Sequence, residues 1–291
     1  FGSSAVFVED VLPASPCSSP RTTGKMASPQ EAARELRAKF GSQHDICVCI
    51  VGGGLPDDSG ATAQILQIFA AQVAEAVPQA MFLTGGLDGV QKTFAQSFGD
   101  PSRLKNLVHE GHESGYGVGE DVVAAANLEQ RKAVYGEVGD VYVTFGGGGG
   151  VAQEAGAGFK RGATVIPLRR SGGASNGMFN FPADALLRPT FATEQEWALL
   201  EDPTGSPAAC ARALVSVVRQ AVLLRAQGQV PAGGADWPGA AREPLLHGGP
   251  AANRFVECWR NPRFKTGALI VAVLAVFAIL IAARSATNPK V

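Results

Sequence analysis

The sequence has no excess of charge of either sign and few cysteines. Its 25 basic and 26 acidic residues leave a net charge of −1, so nothing in its electrostatics favours nucleic acid as a partner. The five cysteines do not form a disulfide framework. Cys47 and Cys49 alternate within an apparent strand, which places both on one face as small buried hydrophobes rather than as a metal or redox pair.

The sequence also lacks an internal repeat, and its first methionine is Met26. Residues 1–25 fit an upstream extension, a fragment artefact or a targeting segment. The acidic residues Glu9 and Asp10 argue against an acid-poor transit peptide. We expect residues 1–43 to be a largely disordered N-terminal extension that lies outside the folded domain.

Strands and helices alternate along the central part of the chain. With 46% hydrophobic residues, the chain has enough apolar material for one sizeable α/β domain. Strands that are apolar throughout and end in glycine predict a doubly wound, Rossmann-like parallel sheet over residues 44–226. The predicted strands are 46–51, 81–84, 141–145 and 163–168, and the predicted helices are 65–77, 89–98, 120–136, a helix from Val151, and 207–226.

Three glycine clusters stand at the carboxyl ends of predicted strands. They are Gly52 to Gly54, Gly85 to Gly86, and the five consecutive glycines Gly146 to Gly150. Ligands of doubly wound sheets bind beyond these strand ends, so the three clusters are expected to meet in one cleft. The last cluster joins a strand to a helix, an arrangement in which backbone N–H groups bind phosphate at close approach.

Charged side chains flank the longest glycine run. Arg131 and Lys132 lie in a helical stretch before the strand, and Glu154 lies one turn into the helix after it. Taken alone, an Arg-Lys pair is typical of a solvated helix face, and a glutamate near a helix start suits the helix dipole. Their joint spacing around the glycine loop favours a functional site.

This constellation resembles the Lonely Guy (LOG) phosphoribohydrolases and the wider SLOG superfamily, whose members are often mislabelled as lysine decarboxylases. The family signature is an Arg-Lys helix followed by Pro-Gly-Gly-x-Gly-Thr-x-x-Glu. The likeness covers roughly residues 44–190. The matching elements are Arg131-Lys132, the segment 146–154, Asp140 before the strand, and the earlier glycine loops 52–54 and 84–89.

The resemblance implies hydrolysis of a nucleoside 5′-monophosphate to a free base and ribose 5-phosphate. It implies a homodimer with its clefts near the subunit contact, and we expect neither a metal nor a cofactor. Glu154 is implied as the carboxylate that stabilises the ribose cation and takes a proton from water, and Arg131 as the cation that fixes phosphate or polarises the base. The implied phosphate- and nucleotide-binding residues are Gly52, Gly53, Gly54, Gly85, Gly86, Lys132, Gly147, Gly148, Gly149, Gly150 and Val151.

Two positions depart from the family pattern. Gly146 replaces the proline, which loosens the loop, and Val151 replaces the threonine. The second change removes a hydroxyl that would bind phosphate, a loss of about 1.5–3 kcal/mol. An alternative function follows, in which a SLOG-type sensor binds a nucleotide or nucleotide-derived ligand at the membrane without turnover.

Two other motifs are weaker. His109 and His112 are one residue short of the His-Glu-x-x-His spacing that zinc requires, within a glycine-rich stretch that suggests a loop. The pattern Gly147-x-Gly149-x-x-Ala152 matches a dinucleotide fingerprint, but such a motif belongs after the first strand. Arg169-Arg170 would suit a phosphorylated ribose, which leaves an NADP site as an alternative, and the segment 169–173 fits a mobile loop covering the cleft equally well.

The C-terminal part of the chain changes character. Residues 227–265 are expected to form a Gly/Pro/Ala-rich linker. The unbroken apolar run 267–283 spans roughly 25 Å as a helix and predicts a transmembrane tail anchor over 266–284, followed by a short tail, 285–291. Basic residues are more numerous before the run than after it, which favours a cytosolic domain. They are Arg260, Arg263 and Lys265 before it, and Arg284 and Lys290 after it.

Overall fold

In the part of the chain that the structure describes, six parallel strands form one sheet, in the order β4-β3-β2-β1-β5-β6. The computed structural model describes residues 28–40, 46–55 and 60–229. The strands are β1 (Ile46–Gly52), β2 (Ala80–Thr84), β3 (Leu104–His109), β4 (Glu120–Ala125), β5 (Val141–Phe145) and β6 (Thr164–Leu168). The helices are α1 (Pro29–Phe40), α2 (Ala61–Ala76), α3 (Val90–Ser97), α4 (Leu128–Val138), α5 (Gly149–Lys160), α6 (Glu194–Glu201) and α7 (Pro207–Ala226).

Helices cover both faces of the sheet, as the doubly wound prediction requires. One hydrophobic cluster joins the sheet to α2, α3, α6 and α7, and a second joins it to α1, α4 and α5. Alternate residues of β1, β2, β5 and β6 enter opposite clusters because successive side chains of a strand point to opposite faces. Cys47 and Cys49 both lie buried and unbridged in the second cluster, which confirms that they face the same way. Burial raises the pKa of the Cys47 thiol to about 12.

The prediction that residues 1–43 are largely disordered is wrong for α1. Pro29–Phe40 is a helix, and its buried residues Ala33 and Leu36 pack in the second cluster. Arg37 also donates a hydrogen bond to the Asp140 carboxylate at 2.8 Å. Residues 1–27 and 41–45 lie outside the described part of the chain.

The predicted helix 120–136 is two elements. Glu120–Ala125 is the edge strand β4, and Asn127 then begins α4 by accepting a hydrogen bond from Gln130 N at 3.0 Å. β4 pairs with β3 alone, so its residues are only partly buried and lack a continuous apolar pattern. β3 itself is a strand that the sequence pattern did not reveal.

Asp140 holds the amino ends of the central strands. Its carboxylate accepts a hydrogen bond from Cys47 N at 2.8 Å, and its backbone bonds to Cys47 O and to Thr164 N. β1, β5 and β6 are therefore fixed together at the end of the sheet opposite the glycine loops. The residue that matches the family aspartate is structural here.

One described helix is long and apolar enough to cross a membrane by length and composition, namely Pro207–Ala226. Its buried side chains belong to the first hydrophobic cluster. This is the long helix that the sequence predicts to close the domain. Of the predicted linker only residues 227–229 are described; the rest of it, the tail anchor 266–284 and the short tail lie outside the described residues.

Candidate functional site

The three glycine turns meet at the carboxyl ends of β1, β2 and β5. A Cβ placed on Gly53 would lie 2.9 Å from the Cα of Gly147, so the first and third turns touch. Val90 at the start of α3 donates its N–H to the carbonyl of Gly53 at 3.1 Å, which joins the second turn to the first. Because β1 and β5 are the strands between which the chain changes direction across the sheet, this is where doubly wound folds bind ligands.

The third turn presents bare backbone at the start of α5. Gly147 has φ +82°, a left-handed conformation that favours glycine, and Gly148 caps the helix without a side-chain hydrogen bond. A Cβ on Gly148 or Gly150 would meet no atom within 4 Å. The first N–H groups of a helix have no intrahelical partner, so this open surface is suited to an anion.

Val151 contributes its backbone but no polar side chain. It is the third residue of α5, so its N–H is among those free groups, while its side chain is 5% exposed and packs in the second cluster. The side chain lies against Gly147, where an added Cβ would be 2.3 Å from the Val151 Cγ2. At this position Val151 offers an anion its backbone N–H group alone.

A segment after β6 holds the glycine turn in place. Ser171 Oγ accepts a hydrogen bond from Gly146 N at 2.7 Å, and Ala174 N donates to Gly147 O at 2.8 Å. The buried Ser175 hydroxyl adds a bond to the Gly146 carbonyl at 3.1 Å. These contacts tie the segment to the turn, an arrangement that does not favour a mobile covering loop.

Arg169 and Arg170 face away from the glycine turn. Arg169 pairs with Glu201 of α6, and Arg170 donates to the carbonyl of Pro203 at 2.8 Å. The dinucleotide-like pattern follows β5 and not β1. Neither observation supports the NADP alternative.

Arg131 and Glu154 meet inside the protein, beside the glycine turn. Nη1 of Arg131 donates to Glu154 Oε1 at 3.0 Å, and the side chains are 1% and 6% exposed. The guanidinium lies over the ring of Tyr135, 5.6 Å from its centroid. Nη2 of Arg131 is buried and has no hydrogen-bond partner. Such a donor is unfavourable unless something else supplies an acceptor.

The Glu154 carboxyl titrates near neutrality. Burial raises its pKa to about 7, against the opposing effects of Arg131 and Lys132, which lower it. A carboxyl with this pKa is suited to accept a proton at physiological pH. The structure therefore provides a candidate base and a candidate cation in one place.

Several other predicted residues lie in the neighbouring turns or at the edge of this region. Gly85 lies against Arg131, since an added Cβ would be 2.4 Å from Nη1. Gly86 adopts φ +68°, and Gly52 packs under Val90. Lys132 lies at the edge, where it forms a 2.7 Å ion pair with the exposed Glu129.

Two side chains that order the site were not found from the sequence. Gln91 is 1% exposed, and its Oε1 accepts the N–H groups of Gly85 at 2.7 Å and Leu87 at 3.3 Å. The hydroxyl of Tyr135 lies 2.8 Å from the carbonyls of both Ile50 and Leu83, at the ends of β1 and β2. Their partners are backbone groups, which leave no side-chain pattern in the sequence.

The His109–His112 stretch lies at the end of β3. The two imidazole rings stack, with centroids 4.9 Å apart. Within residues 28–40, 46–55 and 60–229, no group of three or more His, Cys, Asp or Glu side chains is placed to hold a metal ion.

Two alanine substitutions in the glycine turn are expected to have opposite effects on stability. Gly147→Ala should destabilise the protein by about 2 kcal/mol or more, because its φ is +82° and Val151 occupies the space. Gly150→Ala should stabilise it by about 0.5–1 kcal/mol, since α5 gains a better helix former and nothing is in the way. Urea unfolding measures both, and a stability loss in Gly150→Ala would contradict the described turn.

Comparisons with known proteins add little. No protein-family profile and no curated protein matches the chain. Among solved structures, the chain is similar to the X-ray structure of TM1055, a structural genomics target. The two are 22% identical, the TM-score is 0.38, and the match covers 45% of this chain and 78% of that chain. A likeness at this level carries no argument about the site.

Proposed function

We propose that this protein hydrolyses the N-glycosidic bond of a nucleoside 5′-monophosphate, giving the free base and ribose 5-phosphate. The observation that carries the proposal is the buried Arg131–Glu154 pair beside an unobstructed helix start. The resemblance of the Arg-Lys and glycine-loop motifs to LOG phosphoribohydrolases supports the same reaction.

The proposed reaction uses each of these groups at a separate point of the ligand. The N–H groups at the start of α5 bind the 5′-phosphate. As the bond between ribose C1′ and the base nitrogen breaks, its electron pair leaves with the base, and positive charge develops on the ribose. Glu154 stabilises this charge and takes a proton from the water that attacks C1′. The departing base takes up a proton from solvent, and Arg131 polarises the base.

A second candidate function is a sensor that binds a nucleotide or a nucleotide-derived ligand without cleaving it. Val151 favours this function, because its buried side chain supplies no hydroxyl to the phosphate. A sensor needs the helix start and Arg131, but it has no use for a carboxyl that titrates near neutrality.

An assay of base release separates the two functions. The purified full chain is incubated with AMP, GMP, CMP and UMP, and free base is measured by chromatography while binding is measured by calorimetry. Release of base supports the hydrolase. Binding without release selects the sensor, and the absence of both would overturn both proposals.

We also propose a homodimer, which the family resemblance supports, and attachment to a membrane through residues 266–284 with the domain in the cytosol. Light scattering of the purified protein measures the dimer. Membrane flotation of the full chain, compared with a chain that stops before residue 266, measures the attachment.

Base release is expected to rise with pH and to level off above about pH 7. The reason is that only the ionised Glu154 carboxylate accepts a proton, and burial raises its pKa to about 7. The measurement is kcat/KM between pH 5.5 and 8.5. A profile that falls across this range would show that Glu154 acts as an acid and not as a base.

A further inference from the structure

Gln91 on α3 is a buried side chain with a donor group to spare. Its Oε1 accepts two backbone N–H groups, from Gly85 and Leu87, and these bonds fix which end of the carboxamide carries the oxygen. The Nε2 amide group therefore points elsewhere with two N–H donors. Among the described residues it has no hydrogen-bond partner.

A second unpartnered donor lies beside it. The Arg131 guanidinium and the Gln91 carboxamide meet at Gly85, where an added Cβ would be 2.4 Å from Arg131 Nη1 and 3.0 Å from Gln91 Oε1. Arg131 Nη2 is buried without an acceptor. A buried donor left unpaired is unfavourable, so Arg131 Nη2, with the unbonded Nε2 group of Gln91 beside it, indicates that a ligand supplies the acceptor.

This pair of donors is separate from the phosphate position. Gly85 follows β2 and the glycine run follows β5, and β1 lies between these strands. Neighbouring strands are about 4.8 Å apart, which puts the two turns roughly 10 Å from each other. That distance exceeds the size of one phosphate group.

We infer that Gln91 Nε2 and Arg131 Nη2 together bind an acceptor atom in the nucleoside part of the ligand, its ribose or its base. The inference rests on the proposed ligand class. It makes Gln91 a specificity-determining residue, since a ligand without an acceptor at this point leaves both donors unpaired.

Gln91→Glu tests this role because it removes the donor group of the carboxamide and keeps the acceptor oxygen. A glutamate has the same shape and still accepts the Gly85 and Leu87 N–H groups, but at pH 8 it lacks the donor. We expect the affinity of the full chain for AMP to fall at least tenfold, while the affinity for inorganic phosphate changes less than twofold. Gln96→Glu, an exposed position on the same helix, is the matched control and should bind AMP as the wild type does.

The outcomes are distinct. If Gln91→Glu and Gln96→Glu bind AMP equally well, Gln91 has a structural role only, and the inference fails while the proposed function stands. If the wild-type chain binds none of the four monophosphates, the proposed function fails and the inference fails with it.

A measurement on the wild type covers the case in which Gln91→Glu does not fold. In a crystal structure with AMP, Gln91 Nε2 is expected within about 3.2 Å of an acceptor atom of the ribose or base. A separation above about 4 Å would overturn the inference.

Discussion

Glu154→Gln is expected to reduce base release by a factor of roughly 100 to 10,000, the usual effect of losing a general base. Glutamine keeps the shape and can still accept the 3.0 Å hydrogen bond from Arg131, so the affinity for AMP should change by only a few-fold. The glutamine cannot take a proton from water. Single-turnover release and equilibrium binding of AMP measure the two effects separately.

Glu75→Gln is the control for Glu154→Gln, because it makes the same chemical change at an exposed position on α2. It should leave both release and binding unchanged. The rise of release with pH should also disappear in Glu154→Gln. Unchanged turnover in that variant would remove Glu154 from the reaction and leave the sensor as the better description.

Arg131→Met is expected to lower the affinity for AMP and to lower base release by a factor of about 1,000 or more, comparable to losing one preorganised charge at a reacting centre. Methionine fills much of the buried volume but supplies no charge. Without the guanidinium, burial acts on Glu154 unopposed by its main cationic partner, and its pKa rises further above 7. The carboxyl then keeps its proton at neutral pH.

The measurement for Arg131→Met is the pH dependence of whatever release remains, together with the affinity for AMP. The midpoint should move to higher pH than in the wild type. Arg219→Met is the control, since it removes a guanidinium from an exposed position on α7. A midpoint that stays at the wild-type value would contradict the coupling of Arg131 to Glu154.

The sheet was predictable where its strands are buried on both faces. The strands β1, β2, β5 and β6 are recognisable in the sequence as continuous apolar runs, because strands buried on both faces need apolar side chains throughout. β3 and β4 carry no such signal. β3 has Lys105 and Asn106 in its middle, and β4 is a half-exposed edge strand whose Val-Val-Ala sequence fits a helix equally well.

The parts of the site that the sequence predicted are those whose chemistry lies in the side chains or in the absence of one. Arg131, Glu154 and the glycine run stand out because charge and missing Cβ atoms are visible in a sequence. Gln91 and Tyr135 do not, since they act on main-chain groups that only the folded sheet brings near them. The helix α1 was missed for a related reason, as only Ala33 and Leu36 mark its buried side.

The hydrogen bonds from Ser171, Ala174 and Ser175 have a consequence for how a ligand arrives. They fix the glycine turn in one geometry, so little backbone entropy would be lost if an anion docked there. Binding of an anion then needs no slow rearrangement of the glycine turn, so diffusion sets the association rate. Selectivity between ligands must in that case come from differences in their dissociation rates.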